Sequence, residues 1–208
     1  MATPDTYKTI KSVSEGIYKE KGSKFIASAC PVKNEEEIKV LLDKTRKSHH
    51  SARHHCYAYI LGNESETWRA NDDGEPSGTG GRPILRQIRS HNLTNILVIV
   101  SRYFGGTLLG VSGLANAYKS AAISALENAE IIDRIIQDYY EIVFPYSVMN
   151  DVMTIIKEEN ISQSGQSFDL ECRITINFRS SASKKILNRL SNVEGLKYNR
   201  ISGRKDPI

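Results

Sequence analysis

Residues 72–83 read DDGEPSGTGGRP, a stretch holding four glycines, two prolines, three carboxylates and one arginine. Successive backbone amides in a glycine-rich turn can converge on an anion, and a helix start just beyond adds a partial positive charge. On that reading Gly78, Gly80 and Gly81 offer amides, while Ser77, Thr79 and Arg82 add side-chain donors. The competing reading is a structural turn whose glycines only supply positive φ. Residue types and spacing leave the two balanced. The stretch lacks the GK[ST] ending of a P-loop and lacks GxGxxG, which disfavours nucleotide chemistry of either kind.

Asp72, Asp73 and Glu75 are oxygen donors of the sort that hold Mg²⁺ or Ca²⁺, but the EF-hand spacing is absent. They are read as groups that tune the site or pair with Arg82 or Arg102, and no metal is expected. HHSARHHC, residues 49–56, invites a zinc hypothesis. A zinc site needs three or four converging ligands. In a strand only His54 and Cys56 share a face, which leaves too few. A Cys–His nucleophile at the same two residues lacks an identifiable orienting group and oxyanion hole.

A second loop, SRYFGGTLLG, places Arg102 and Tyr103 where an apolar strand ends, followed by Gly105, Gly106 and Gly110. Arg102 suits a bidentate clamp on phosphate or carboxylate, and Tyr103 suits stacking on a base. Phe104 is assigned to the core. Pairing of Arg102 with Asp72 or Asp73 is the competing structural reading.

Several elements must position these loops. Asn34 is a good N-cap, three glutamates follow it, and Ile38, Leu41, Leu42 and Thr45 give the ensuing helix one apolar stripe. HCYAYIL is a strand, and Ile84, Leu85 and Ile88 continue at helical spacing after Pro83. ILVIV (Ile96 to Val100) belongs to a strand covered on at least one face, because it never alternates. Val111, Leu114, Tyr118, Ala122, Ala125 and Ala129 mark a helix whose small residues allow close approach to a sheet.

Beyond that the chain changes character. YYEIVFPY reads as a strand and SVMNDVMTIIKEE as a helix with Val148, Val152, Ile155 and Ile156 on one side. SGQS reads as a turn. Residues 168–178 then alternate through Phe168, Leu170, Cys172, Ile174, Ile176 and Phe178. A short helix and a last strand complete βαββαβ, the ferredoxin-like pattern. The fold class is therefore α+β, with an N-terminal domain over 1–135 and a ferredoxin-like domain over 136–208.

A length of 208 residues suffices for two cores. The N-terminus lacks the basic-then-apolar pattern of a secretion signal, and no apolar run is long enough to span a bilayer. A soluble, cytoplasmic protein without a membrane partner is expected, with Cys30, Cys56 and Cys172 as reduced thiols. The net charge of +4 is unevenly spread. Residues 138–171 hold seven acids and one lysine, whereas residues 179–208 hold eight bases and two acids. Such a basic end suits phosphate backbones, although a solvated helix face balanced by its acidic neighbour is favoured when the charge is taken alone.

The run ARHHCYAYILG, then DDGEPSGTGGRPILRQI, then ILVIVSRYFGGTLLGVSGLANAY closely resembles the IMPACT/YigZ family, with KGSKF (Lys21 to Phe25) upstream. The resemblance implies an N-terminal domain like the second domain of a small-subunit ribosomal protein. It also implies a C-terminal domain like the last domain of elongation factor G. It further implies a link to translation control, since eukaryotic relatives accompany regulators of a kinase in the initiation factor two pathway. The chain departs from the family's GLVKAY pattern at Ala115 and Asn116, which removes a cation at 116, and Lys119 offers a substitute. The favoured function is non-enzymatic association with RNA or the ribosome in translation regulation, with no cofactor. A protein partner in the translation machinery rests on the resemblance alone. The alternative is an enzyme whose glycine-rich loop holds a phosphorylated or anionic small molecule, with Asp72, Asp73 or His54 as the titrating group.

Overall fold

The structure is a computed structural model describing residues 5–63, 65–168 and 171–201, with the backbone only for Phe168. The chain divides into two compact units, one of Tyr7–Arg134 and one of Ile135–Ile208 with Met1–Thr6.

In the first unit, β1 (Thr6–Ile10) precedes β2 (Ser14–Glu20), β3 (Ser23–Pro31) and α1 (Glu35–Ser48). Then come β4 (His54–Leu61), β5 (Thr67–Asn71), α2 (Gly81–Ser90), β6 (Ile96–Tyr103), α3 (Gly110–Glu127) and β7 (Ile131–Ile135). Strands order β2-β3-β6-β4-β5, every neighbour antiparallel, and β1 pairs with β7 in a separate ribbon. The unbroken apolar run of β6 lies at the centre because both of its faces are covered. Val98 and Val100 face α2 and α3, while Leu97 and Ile99 join Ile38 and Leu42 of α1. The sheet and the helices α2 and α3 enclose the larger cluster, and α1 adds a cover to the second face.

The Asn34 side chain accepts from the Glu37 amide at 2.8 Å, so α1 starts where its cap stands. The small-residue face of α3 serves as expected: a Cβ on Gly16 of β2 would meet the Ala125 nitrogen at 2.2 Å. Tyr118 is fully buried there and meets Phe25 edge-on, with ring centroids 5.1 Å apart. Val111 departs from expectation: it stands one turn too early to reach the sheet and is 65% exposed.

The second unit runs β8 (Gln137–Phe144), α4 (Met149–Glu158), β9 (Ser162–Phe168), β10 (Cys172–Arg179), α5 (Ser183–Ser191) and β11 (Lys197–Arg200). Its sheet order is β11-β8-β10-β9 with antiparallel neighbours, the ferredoxin-like arrangement. SGQS is not a turn but lies inside β9, and the chain reverses between the paired residues Phe168 and Cys172. In the sequence the apolar alternation runs unbroken from Phe168 to Phe178, so 168–178 read as one strand. Cys172, Ile174, Ile176 and Phe178 are buried as expected, while Leu170 and the Phe168 side chain lie outside the described residues.

Candidate functional site

The glycine-rich stretch follows the edge strand β5 and leads into α2. Asp72, its first residue, turns its carboxylate inward: Oδ1 accepts from the amides of Gly80 (2.9 Å) and Gly81 (2.8 Å), and Oδ2 accepts from Gly78 (2.8 Å). The amides expected to hold an external anion are therefore occupied by the chain's own carboxylate. Gly81 is small because a Cβ would meet the β5 backbone nitrogen of Asn71 at 2.4 Å, and Gly78 takes a φ of 78°. The buried Thr79 hydroxyl donates to the Pro76 carbonyl at 2.6 Å, so it too faces inward. Ser77 and Arg82 remain exposed. The three glycine amides of the phosphate-cradle reading thus already have an acceptor: nested amides favour any carboxylate in reach, and Asp72 is tethered beside them.

Asp73 bridges to β4. Its Oδ2 accepts from the His55 amide at 2.7 Å, Arg46 approaches Oδ1 at 3.6 Å, and its carbonyl accepts from His54 Nδ1 at 2.8 Å. A carbonyl only accepts, so the proton sits on His54 Nδ1. His55 points the other way, onto Ser101 Oγ at 2.9 Å, and burial holds its pKa below the usual imidazole value. The Cys56 thiol donates to the Asp72 carbonyl at 3.0 Å, and burial pushes its pKa well up, the opposite of an activated nucleophile. Cys30, Cys56 and Cys172 are free and buried, and burial raises the Cys30 pKa to about 11. Among the described residues no three His, Cys, Asp or Glu side chains are grouped to hold a metal ion.

Arg102 is buried, and its partner is neither Asp72 nor Asp73. Its Nη1 donates to Glu75 Oε1 at 2.6 Å, and the Tyr118 hydroxyl donates to the same oxygen at 2.8 Å. The β4–β6 register places His54 opposite Arg102, and the turn after Asp73 brings Glu75 over both. The Tyr118 phenol is pushed far above its ordinary pKa by burial, then by Cys56 and Glu75. Tyr103 is tied through its hydroxyl to His49 Nδ1 at 2.8 Å rather than standing free to stack. Gly105 packs against the β2–β3 turn, where a Cβ would meet the Gly22 carbonyl carbon at 1.9 Å, and its amide donates to Ser23 Oγ. Gly106 is exposed beside it.

The two loops do meet. Glu75 and Pro76 from the first, Phe104, Leu108 and Leu109 from the second, and Val111 from the first turn of α3 line one cleft of about 420 Å³. Arg53, His54, Arg102, Gly110 and Leu114 complete its lining. Phe104, expected in the core, is 49% exposed on the wall, because the strand ends at Tyr103 and the backbone leaves the sheet. Of the expected site residues only His54, Glu75 and Arg102 line the cleft; Lys119 is exposed on α3 outside its lining.

A second feature lies on α2. Arg82, Arg86 and Arg89 recur at four and three residues, so they share one helix face opposite Ile84, Leu85 and Ile88. All three are exposed, α2 contains no acid, and no ion pair among the described residues holds them. The Arg89 guanidinium lies 4.6 Å from the ring centroid of Trp68 on β5, itself 52% exposed. Sequence reasoning singled out Arg82 alone; RxxxRxxR beside an exposed tryptophan was the available signal.

The basic C-terminal stretch behaves differently. Lys185 and Arg189 on α5 pair with Glu159 at 2.7 and 2.6 Å, and Arg189 also reaches Glu158 at 2.6 Å. Arg179 pairs with Asp5, and Arg200 with the buried Asp138. Burial pushes the Asp138 pKa up, but hydrogen bonds from Ser183, Arg200 and Ser180 outweigh it and leave a net lowering. Arg204 and Lys205 lie outside the described residues.

The Impact N-terminal domain model matches residues 21–126, just over half of the chain and the whole of both loops, the cleft and α2. IMPACT family member YvyE of Bacillus subtilis (strain 168) is 36% identical over 129 residues, covering 62% of this chain and 59% of that protein. IMPACT family member YigZ of Escherichia coli (strain K12) is 39% identical over 108 residues, covering 51% and 53%. The matched part of this chain thus spans a little over half the length of these two relatives. A solved crystal structure of a hypothetical protein superposes over 97% of this chain and 100% of its own, with a TM-score of 0.73 at 23% identity, which shows a shared fold. No helix among the described residues is long and apolar enough to cross a membrane. By the family model across both loops, this chain belongs to the IMPACT family.

Proposed function

We propose that the chain is a non-enzymatic module of translation regulation that attaches to RNA, the ribosome first, through the arginine face of α2. The observation that carries the proposal is the unpaired row Arg82, Arg86 and Arg89 with Trp68 stacked at its end. Arginines without acidic neighbours keep their full field for phosphates, and an exposed indole offers a surface on which a base can stack. The link to translation is the one implied by family membership. The groups that general acid–base or nucleophilic chemistry would draw on are engaged within the fold: Asp72 by three amides, Glu75 by Arg102 and Tyr118, and Cys56 by burial and the Asp72 carbonyl. That arrangement favours a binder over a catalyst.

Ribosome co-sedimentation across a salt series tests the proposal. Loss of three phosphate contacts in R82A/R86A/R89A should flatten the dependence of log affinity on log salt by about 2 to 3 units. Sedimentation unchanged by the triple substitution would refute the assignment.

A further inference from the structure

The inner end of the cleft holds a donor with no acceptor. Arg102 is 6% exposed, its Nη1 is satisfied by Glu75, and its buried Nε–H meets no acceptor among the described residues. Phe25 and Phe104 flank the guanidinium, each ring centroid 5.6 Å from its carbon, but they offer faces rather than lone pairs. Buried donors are ordinarily paired, so this one marks a place where an acceptor belongs. The charges lining the cleft are Arg53 and Arg102 against Glu75, two cations to one anion, with His54 committed through Nδ1–H to the Asp73 carbonyl.

The wall is of the opposite character. Phe104, Leu108 and Val111 are 49%, 83% and 65% exposed within eight residues, and Pro76, Leu109 and Leu114 continue the apolar surface. Large side chains so exposed on one short segment are a binding feature more often than an accident. A volume of about 420 Å³ falls in the range of small-molecule pockets. We propose that the cleft binds a small amphipathic anion, its apolar body along Phe104, Leu108 and Val111 and its carboxylate head turned to Arg53 and Arg102. The head group balances the positive charge that Arg53 and Arg102 bring to the cleft against the single carboxylate of Glu75. This site is separate from the α2 face, so the inference stands or falls apart from the RNA proposal.

The test uses three eight-carbon probes that differ only in the head: octanoate, octan-1-ol and octylammonium, titrated calorimetrically into the full chain at neutral pH. Octanoate should bind about ten-fold tighter than octanol, with octylammonium weakest, because a charge-assisted contact is made only by the first. Arg53→Gln, at an exposed residue outside the core, should weaken octanoate by about five-fold and leave octanol within about two-fold. Leu108→Ser, at a site whose exposure lets the fold tolerate it, should weaken octanoate and octanol alike. R82A/R86A/R89A should leave all three titrations unchanged. Equal affinity for the three heads, no saturable binding of any probe, or an Arg53→Gln variant that binds octanoate normally would overturn the proposal.

Discussion

Two short helices of nearly the same pattern put their cations to different use. α2 reads GRPILRQIRS and α5 reads SKKILNRLS, and each buries its isoleucine and leucine side against a sheet. On α5, Lys185 and Arg189 are answered by Glu158 and Glu159 from the end of α4. On α2, no neighbouring element brings an acid within reach of Arg82, Arg86 or Arg89 among the described residues. The N-terminal unit places its tightest ion pair inside, at Arg102 and Glu75, and leaves arginines outside; the C-terminal unit pairs its surface cations instead. Charge counted along a chain therefore says little about the field a partner meets. That field depends on acids supplied by other elements, and α5 finds its partners 26 to 31 residues away.

The largest effect that sharpens this contrast is at the inner pair. Arg102→Leu leaves Glu75 buried with the Tyr118 hydroxyl as its remaining hydrogen-bond donor among the described residues, and removing one side of a buried pair costs about 3–5 kcal/mol. Urea unfolding should show that loss. R102L/E75L should recover most of it, because two apolar side chains leave no uncompensated charge. A single substitution costing less than about 1 kcal/mol would place the pair in the class of exposed bridges and erase the distinction.

What could be read from the sequence follows the same division between local and distant causes. α1 was legible from Asn34 and the three glutamates after it, because capping and dipole preferences act within one turn. The βαββαβ order was legible because its periods of two and 3.6 are local. The destination of the Asp72 carboxylate was not: nested amides look the same in sequence whether they await a phosphate or already hold the chain's own aspartate. Nor was the choice of Glu75 over Asp72 and Asp73 as the partner of Arg102. Three acids stand within four positions, and the turn that separates them is set by the hydrogen bonds of Asp73 to β4. Phe104 was misplaced in the core because an aromatic ending an apolar run reads as more of the run. The leucines of GGTLLG, bracketed by glycines in a loop, were the signal for an exposed apolar wall.

A smaller effect is expected where the cations are already engaged. K184A/K185A/R189A on α5 carries the same change in formal charge as the triple substitution on α2. Lys184 is exposed, but Lys185 and Arg189 are matched by carboxylates, so their removal frees acids as fast as it removes bases. The salt dependence of ribosome association should move by less than about 1 unit, against about 2 to 3 for α2. Equal shifts from the two triples would mean that total charge, rather than its pairing, governs association.

The smallest effect lies in the pH dependence of the paired helix. Hydrogen bonds from Lys185 and then Arg189 hold the Glu159 carboxyl below its ordinary value of 4.5. A carboxyl lowered by folding binds its proton more weakly in the native state than in the unfolded chain. Its stabilising contribution is therefore complete above the ordinary value and fades as pH falls through it toward the lowered one. Glu159→Gln removes the titrating group while keeping its shape. The gap in urea midpoint between the natural chain and E159Q, followed by circular dichroism, should be widest near neutral pH and close as the solution is acidified. A gap that stays constant through the carboxylate range would mean that the Glu159 pairs add nothing to folding, and that α5 resembles α2 in energy even though its cations have partners.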